Sequence, residues 1–586
     1  ESISVLKDAS SAAIYGSRAA NGVVIVTTKE GSNTEGKPII DLSANVGVSS
    51  PSKYLDLLDA AGWAEVTTVS RRAAGLSPLE MAQDLASKPD NDWQDLMFGP
   101  ALMQNYALSV KGGGKYSTYY NSVGYTNQDG VMKGTNYQRY TLQSKQDFKK
   151  GIFQAGTNVV LTYDQSNPLY SVIRGGMVGH TLQAIPTWEQ YDENRTGGYG
   201  GLYGDVVNLT HPLGMVDDNL MKRYSDNVKI FANAYVSVEL MKGLKYKLNL
   251  TPDFQFYRYN SYEGLFDFGL AKHDITAVTE QQTRTRNILV ENLLTFDRTF
   301  GDHKVSALVG YTYQDSRYRY MQGSGQGMPT GITEIDAASQ GLAVSGNSSR
   351  SVLTSILGRA FYSYKNRYLL TATIRRDGSS KFGSNYRYGN FPSVSVGWNI
   401  AEEDFVKNSV SWLDQLKLRG GYGVLGNQEI DNYQYVSVVT TGINYPDGKS
   451  GLIQGAFPKT FANPDIKWER TSEFNGGLDY AFFNHRLFGS IDGYYRYTKG
   501  ALAPSPYPLE SGSTSYTSNL IDLSNKGVEI EIGGDIIRTA DWTWTSKFNI
   551  ALNRNKIEKL NGAELSSNDV DTYIEGQPAG VLKGYI

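Results

Sequence analysis

The sequence predicts an all-β protein, specifically a transmembrane antiparallel β-barrel, from three observations. Apolar and polar residues alternate with a period of two over many segments of roughly ten residues or more, which is long enough to cross a bilayer at a tilt. The connections between these segments alternate between short and long. The chain of 586 residues has a mean hydropathy of −0.39 and no apolar run of about eighteen residues, which excludes a helical membrane protein but suits a barrel with a polar lumen.

Residues 1–31 predict a small unit of two strands and one helix that precedes the barrel. Residues 3–6 alternate in the manner of a strand, and the apolar run at 23–26 is short enough for a buried strand. Between them, Asp8 can cap a short helix, and Gly16 can end it in the left-handed conformation. We expect the two strands to lie side by side inside the barrel.

The barrel pattern is clearest in the predicted strand at 228–240. Its even-numbered residues are apolar, whereas most of its odd-numbered residues are polar. Alternate side chains of a strand point to opposite faces of the sheet, so one face should meet lipid and the other the lumen. The residues expected to face lipid are Val228, Ile230, Ala232, Val236 and Val238, and those expected to face the lumen are Lys229, Asn233, Ser237 and Glu239.

Seventeen such strands are predicted, each antiparallel to the next along the chain. Their centres lie near residues 43, 108, 121, 142, 157, 233, 250, 290, 311, 358, 373, 394, 418, 475, 493, 531 and 548. Every second connection is long, at about 50–103, 128–136, 166–226, 260–281, 320–350, 379–385, 427–468 and 502–522. Tight turns at one end and long loops at the other are typical of an outer-membrane barrel, and a soluble sandwich has no reason to separate them in this way.

Four of these loops are expected to form one platform. If the first strand runs outward, strand parity places 50–103, 166–226, 320–350 and 427–468 on the same rim. Loops of this length exceed what a hairpin needs and usually carry function. The first of them also contains a helical pattern that begins at Tyr54.

Several ordered blocks of the chain resemble one protein family. The block VLKDASSAAIYGSRAANGVVIVTTK is similar to the C-terminal end of the plug domain of TonB-dependent outer-membrane receptors, in the branch typified by SusC and RagA. The same branch is resembled by QNYALSVKGGGKYSTYYNSVGYTNQDGVMKGTNYQRYTLQ, FPSVSVGWNIAEEDF, LDQLKLRGGYGVLGNQEI and NPDIKWERTSEFNGGLDY. The blocks are spread over nearly the whole chain.

This resemblance implies a domain organisation. It assigns residues 1–31 to the C-terminal end of the plug and residues 32–586 to an incomplete transmembrane barrel. TonB-dependent barrels have about twenty-two strands, and single-chain bacterial barrels have even numbers of strands. We therefore expect the chain to be a fragment that lacks both ends, including the TonB-contacting segment, most of the plug and the last strands.

The resemblance also implies a function, which is TonB-dependent active import of oligosaccharides or peptides across the outer membrane. The expected partners are a SusD-like surface lipoprotein that acts as a lid, TonB, a glycan or peptide substrate, and the lipid bilayer. A passive porin or adhesin barrel is one alternative, although neither needs a plug. A secreted, soluble, β-rich glycan-binding protein is another. The formal net charge of −3 argues against a nucleic-acid partner.

The sequence offers no catalytic constellation, so no enzyme activity, cofactor or metal site is predicted. Gly421, Gly423 and Gly426 match GxGxxG, but no helix pattern follows them, which favours a glycine-rich strand end over a nucleotide site. Asp192 begins a stretch that echoes a calcium-binding loop, but its twelfth position is Tyr203, where a bidentate Glu belongs. A loose calcium site in an outer loop is the alternative to no site here.

The candidate substrate contacts lie in the 166–226 loop. They are Trp188, Tyr191, Tyr199 and Tyr203. Aromatic faces pack against sugar rings or peptide side chains while neighbouring polar groups make hydrogen bonds. The alternative, which we favour, is that these rings pack the loop against its neighbours.

Overall fold

The computed structural model describes residues 2–169, 176–202, 209–448, 451–506, 508, 510, 515–561 and 571–582. The strands in these ranges are β1 (Ser2–Leu6), β2 (Val23–Thr27), β3 (Ile39–Ser49), β4 (Ala101–Gly113), β5 (Ser117–Asp129), β6 (Asn136–Lys150), β7 (Phe153–Asn167), β8 (Met221–Met241), β9 (Leu244–Glu263), β10 (Phe266–Asp267), β11 (Lys272–His273), β12 (Ala277–Phe300), β13 (His303–Gln326), β14 (Gln340–Tyr364), β15 (Tyr368–Ser379), β16 (Tyr388–Asn399), β17 (Leu413–Asn427), β18 (Val438–Pro446), β19 (Leu452–Thr460), β20 (Glu469–Phe482), β21 (Leu487–Pro506), β22 (Ser515–Arg538), β23 (Thr543–Lys559), β24 (Asp571–Thr572) and β25 (Val581–Leu582).

The helices are short. The α-helices are α1 (Ala9–Ala12), α2 (Ala60–Ala73), α3 (Trp93–Met97), α4 (Gly176–Gln183) and α5 (Asp404–Lys407). The 3₁₀ helices are Ala13–Arg18, Glu80–Ala82, Leu85–Ser87, Gly214–Val216, Ile335–Ala337 and Ile400–Glu402. Among the described residues, no helix is both long and apolar enough to cross a membrane.

Seventeen strands form one barrel-shaped sheet, namely β3 to β9, β12 to β17 and β20 to β23. Each strand pairs antiparallel with the next barrel strand along the chain. The seam lies between β23 and β3, whose residues are exposed along most of their length. Every predicted strand centre falls within one of these strands, so the predicted antiparallel order is confirmed.

The two faces of the sheet differ as the alternation predicts. On β8, the side chain of Asn233 donates to Asn249 Oδ1 at 2.8 Å and to Thr251 Oγ1 at 2.7 Å, whereas Val236 is half exposed on the opposite face. Glu30 and Gly31 of the N-terminal segment, and Asn33 that follows it, line the same cavity as Asn233, so the polar face is the inner one. The predicted sidedness of this strand is confirmed.

The loops on one rim are shorter than predicted, because several strands continue beyond the apolar band. β13 runs to Gln326 and β14 begins at Gln340, so the predicted loop at 320–350 contracts to 327–339. These extensions are rich in polar residues on both faces, which removes the alternation by which a strand is recognised. The predicted loop at 427–468 contains the antiparallel hairpin of β18 and β19.

The helix predicted from Tyr54 begins later. α2 starts at Ala60, and the side chain of Asp59 caps it by accepting from the backbone N–H of Gly62 at 2.8 Å. Apolar spacing alone placed the start too early, because the capping carboxylate sets the first turn. The prediction for Tyr54 was therefore wrong.

Candidate functional site

The N-terminal segment, residues 2–31, lies against the inner face of the barrel wall. β1 and β2 pair antiparallel as predicted. The alanines of α1 and the turn after it, Ala9, Ala12 and Ala13, are buried together with Leu425 of β17. The small alanine side chains let the backbone of α1 approach the wall closely. This face of α1 therefore packs against β17 and is not exposed to solvent.

Two glycines of β17 make room for α1. A Cβ on Gly423 would lie 2.9 Å from Ala9 Cβ, and one on Gly421 would lie 2.8 Å from Ser10 Oγ. β17 continues to Asn427, and no helix follows it within 428–437. The prediction that the GxGxxG match is a glycine-rich strand end is confirmed, and two of its glycines form the bed on which α1 rests.

The N-terminal segment contacts the wall a second time around Gly16, and this contact is called the seat of Gly16 below. The φ of 60° and ψ of −125° of Gly16 are not helical, and they separate two short helical runs within Ala13–Arg18. The first run therefore ends at Gly16 with a positive φ, as predicted. A Cβ here would clash with Nε of Arg375. Asp8 occupies the predicted N-cap position of α1, but its side chain makes no capping hydrogen bond. Instead, the backbone N–H of Ala9 donates to Glu473 Oε1 at 3.1 Å.

Arg375 and Asp377 of β15 hold the kink. The backbone N–H of Ser17 donates to Asp377 Oδ2 at 2.9 Å, and Arg375 Nη1 donates to the carbonyl of Ile14 at 2.6 Å. The two side chains pair with each other at 2.6 Å, and Arg375 also reaches Ser355 Oγ at 2.8 Å. Both are buried, so the loss of either side chain would leave an uncompensated charge beneath the segment.

Further charged contacts surround the segment. Glu473 is buried and pairs with Arg496 at 2.6 Å. Arg419 lies 3.9 Å from Asp8 and pairs more closely with two carboxylates of the wall, Asp479 and Asp492. Lys7 pairs with Glu529, Arg18 donates to Gln314, and Glu30 pairs with Lys145. Such contacts are directional and individually modest, so they fix the position of the segment without burying a large apolar core.

The second candidate region is an aromatic cluster on the rim with the long loops. Trp188 is 1% exposed, and its ring centroid lies 5.8 Å from Trp93 and 4.7 Å from His211. The indole N–H of Trp93 donates to the carbonyl of Ile185 at 2.8 Å. Phe268 packs against the His211 ring at 5.7 Å. The cluster therefore joins three loops into one packed body.

Burial and hydrogen bonding change the acid–base chemistry of this cluster. Burial lowers the pKa of His211 to about 4, since the carbonyl of Glu189 compensates only in part. Burial also raises the pKa of Tyr199, and its hydroxyl, which donates to Asp217 Oδ2 at 2.9 Å, is held in the neutral form. At neutral pH the rings of His211 and Tyr199 are therefore uncharged.

The candidate substrate contacts differ in their access to solvent. Trp188 points into the cluster, Tyr199 is partly buried beside it, and Tyr191 is 62% exposed with its ring 5.5 Å from that of Tyr199. Tyr203 lies outside the described residues. Trp188 thus packs the loops against one another, and Tyr191 is the most exposed of the candidates that the structure describes.

The residues that sequence reasoning missed are those that complete the cluster, namely Trp93, His211, Phe266 and Phe268. Trp93 stands in a conspicuous Asp-Trp-Gln-Asp tetrad, but its distance along the chain from Trp188 hid the contact. At the calcium-like stretch, Asp192 accepts from the backbone N–H of Asn194 at 3.0 Å and pairs with Arg195 at 3.3 Å. Within the described ranges, no group of acidic or histidine side chains is arranged to hold a metal ion.

Comparison with known proteins decides the family. The family described as TonB dependent receptor-like, beta-barrel, matches residues 181–579. The chain belongs to the TonB-dependent receptor family. It is therefore an outer-membrane β-barrel protein, and the predicted membership of this superfamily is confirmed.

Curated relatives extend this membership over nearly the whole chain. The TonB-dependent receptor P3 of Formosa agariphila is 32% identical over 602 residues, which cover 99% of this chain and 56% of that protein. The TonB-dependent receptor SusC of Bacteroides thetaiotaomicron is 31% identical over 608 residues, which cover 98% of this chain and 58% of that protein. The chain thus spans a little over half the length of these relatives.

Comparison with solved structures supports the same branch of the TonB-dependent receptor family. The RagAB peptide importer in its closed-closed state superposes with a TM-score of 0.86 at 25% identity, covering 99% of this chain and 68% of that chain. The ferric citrate transporter FecA superposes with a TM-score of 0.55 at 10% identity, which reflects the shared barrel fold alone. The resemblance to SusC and RagA that the sequence blocks indicate is confirmed.

Proposed function

We propose that this TonB-dependent receptor imports oligosaccharides or peptides actively across the outer membrane. In this proposal, the N-terminal segment is the C-terminal end of a plug that fills the lumen, and the rest of the chain forms the barrel wall. The observation that carries the proposal is the seat of Gly16 and Ser17 on Arg375 and Asp377. A channel that conducts passively has no use for a segment whose backbone is hydrogen-bonded to a buried ion pair of the wall.

The seat suits a plug that must be held firmly and yet be released. Its contacts are mainly hydrogen bonds and ion pairs to the wall, each worth about 1–3 kcal/mol. They can be broken one after another by a pulling force and re-formed afterwards, because neither partner has to unfold. Energy from TonB acting on the plug would supply that force.

The rim loops support the proposal that substrate and a SusD-like lipoprotein are received on one side. The side chain of Asn91 donates to the carbonyl of Trp188 at 2.6 Å, which ties the 50–103 loop to the 166–226 loop. The hydroxyl of Tyr433 lies 3.3 Å from the backbone nitrogen of Arg350, which ties the 427–468 loop to β14. These contacts join the predicted loops in two pairs, which supports a packed rim over separate loops, and Tyr191 is the exposed aromatic candidate on it.

The test is uptake by cells that express the intact protein, with and without a functional TonB. Fluorescent oligosaccharides and a mixture of labelled peptides are supplied separately, and uptake is followed over time. We expect one of the two classes to accumulate, and only when TonB is present. Uptake that continues without TonB would instead identify a passive porin.

A further inference from the structure

The outward face of the barrel carries a cluster of arginines at the point where its apolar band ends. It is formed by β12, β13 and β14, on which Arg286, Arg317 and Arg350 occupy one cross-strand row and Arg284 and Arg319 the next. The even-numbered residues of β13 face the lumen, because the side chain of Gln314 accepts a hydrogen bond from Arg18 of the N-terminal segment. Side chains alternate along a strand, so these odd-numbered positions of β13 point away from the lumen.

Three of the arginines converge on a single carboxylate, that of Asp315. Arg350 donates to its two oxygens at 3.1 and 2.9 Å, and Arg317 lies 3.4 Å from each of them. Arg286 approaches to 3.7 Å, and its Nε is buried without a hydrogen-bond partner. The single negative charge of Asp315 therefore balances only one of the three positive charges around it.

Arg284 and Arg319 add two further charges. Among the described residues, neither forms an ion pair, and both are exposed. The next outward-facing charges are farther along the strands, where Arg258 is paired with Asp226 at 2.8 Å and Glu280 follows. The arginine cluster consequently has an excess of four positive charges over an area about 10 Å wide.

The height of the arginine cluster matches the head groups of a bilayer. On β13 the exposed apolar residues Val309 and Tyr311 face outward, and His303 lies among tyrosines at the opposite end of the strand. The twelve residue steps from His303 to Asp315 correspond to about 40 Å of strand, or about 30 Å along the membrane normal at the usual tilt. This is about the thickness of the hydrocarbon core, so Arg317 and Arg319 reach just beyond it on the side of the long loops.

We propose that the arginine cluster, Arg284, Arg286, Arg317, Arg319 and Arg350 around Asp315, binds the phosphate of an anionic lipid head group in the outer leaflet. Guanidinium groups present paired N–H donors that match phosphate oxygens, and they lose less hydration than ammonium groups do. A ligand at this level of the wall has its acyl chains against the apolar band and its phosphate against the arginines. A lipid satisfies both requirements, whereas a soluble anion satisfies only one.

The experiment uses the intact protein in a non-ionic detergent, stripped of lipid and analysed by native mass spectrometry. Diphosphorylated lipid A is titrated in, with its enzymatically dephosphorylated form and inorganic phosphate as separate arms. We expect retention of the phosphorylated lipid at least tenfold above the dephosphorylated form. Inorganic phosphate at millimolar concentration should not displace it.

The variant that tests the site is the double substitution Arg284→Gln and Arg319→Gln, because neither residue pairs with Asp315. We expect it to lose about tenfold in lipid A retention. Arg298→Gln is the matched control, since Arg298 lies on the outward face at the other end of β12, and it should retain lipid as the wild type does. A heat-modifiable shift on a denaturing gel verifies that each variant is folded.

A second variant, Arg317→Lys, keeps the charge but removes the two-pronged geometry, and we expect it to weaken retention about threefold. Equal retention by the double variant and the wild type would overturn the proposal. Complete displacement by inorganic phosphate would also overturn it, because the site would then recognise a free anion and not a lipid.

Discussion

The backbone N–H of Ser17 donates a 2.9 Å hydrogen bond to Oδ2 of Asp377, a carboxylate with no exposed surface. This bond links residues on the lumen segment and on the barrel wall that are far apart in the sequence. The same carboxylate pairs with the buried guanidinium of Arg375, which lies two residues earlier on β15. Removal of the carboxylate would leave that guanidinium uncompensated, which is the costly outcome for a buried pair.

Asp377→Asn should therefore loosen the N-terminal segment without unfolding the barrel. We expect the free energy of local opening to fall by about 3 kcal/mol, measured by hydrogen exchange at residues 9–20 in the intact protein. Arg376→Gln is the control, since Arg376 is on the outward face of the same strand and stacks on Tyr388. Unchanged exchange in Asp377→Asn would contradict the role assigned to this seat.

The glycine bed of β17 gives a matched pair of substitutions. Gly423→Val should displace α1, because a Cβ there lies 2.9 Å from the Cβ and carbonyl carbon of Ala9. Gly420→Val should be tolerated, since its Cβ would meet no atom closer than 3.8 Å. Limited proteolysis within residues 9–20 should increase for the first variant alone, and equal cleavage of both would show that the segment does not rest on β17.

Sidedness of the wall is tested on β8. Val236→Lys places a charge on the lipid face and should lower the free energy of unfolding by about 2–4 kcal/mol near the middle of the membrane. Asn233→Lys faces the lumen and should cost about 1 kcal/mol through its lost hydrogen bonds to Asn249 and Thr251. The measurement is equilibrium unfolding by urea in lipid vesicles, and equal losses would reverse the assignment of faces.

The aromatic cluster of the rim should loosen as the pH falls. The pKa of His211 is lowered from 6.5 to about 4 by burial. Between these two pH values, His211 is protonated when the cluster is open and neutral when it is packed. Stability is thus lost from about pH 6.5 down to pH 4, by about 3 kcal/mol in total. His180, whose pKa burial also lowers, acts in the same direction. Tryptophan fluorescence should report the change, and His211→Phe should flatten it.

The barrel could be predicted from the sequence because apolar and polar residues alternate along consecutive positions such as 228–240. Contacts between distant segments could not be found in this way. Nothing in Gly421 and Gly423 alone says that Ala9 lies above them, and nothing in Trp188 says that Trp93 covers it. Trp188 was proposed as a ligand contact because aromatic residues suit both roles, and only its 1% exposure separates them. The strand extensions of β13 and β14 escaped recognition because they are polar on both faces.

The 427–468 loop should be required for capture of the proposed SusD-like partner. Replacing it in the intact protein with a tight turn removes the β18–β19 hairpin, whose pairing is confined to that loop. We expect the barrel to remain folded, while co-purification of a SusD-like lipoprotein and uptake are both lost. Uptake that survives with the lipoprotein still bound would refute this role.

The most direct test of the central claim is a reversible lock between the lumen segment and the wall. The chain contains no cysteine, and a Cβ at Gly421 would lie 3.1 Å from Ser10 Cβ, near the roughly 3.8 Å of a disulfide. Ser10→Cys with Gly421→Cys should therefore cross-link on oxidation. If the segment must leave the wall during import, TonB-dependent uptake should stop in the oxidised protein and return on reduction. Uptake that is the same in the oxidised and reduced protein would contradict the account.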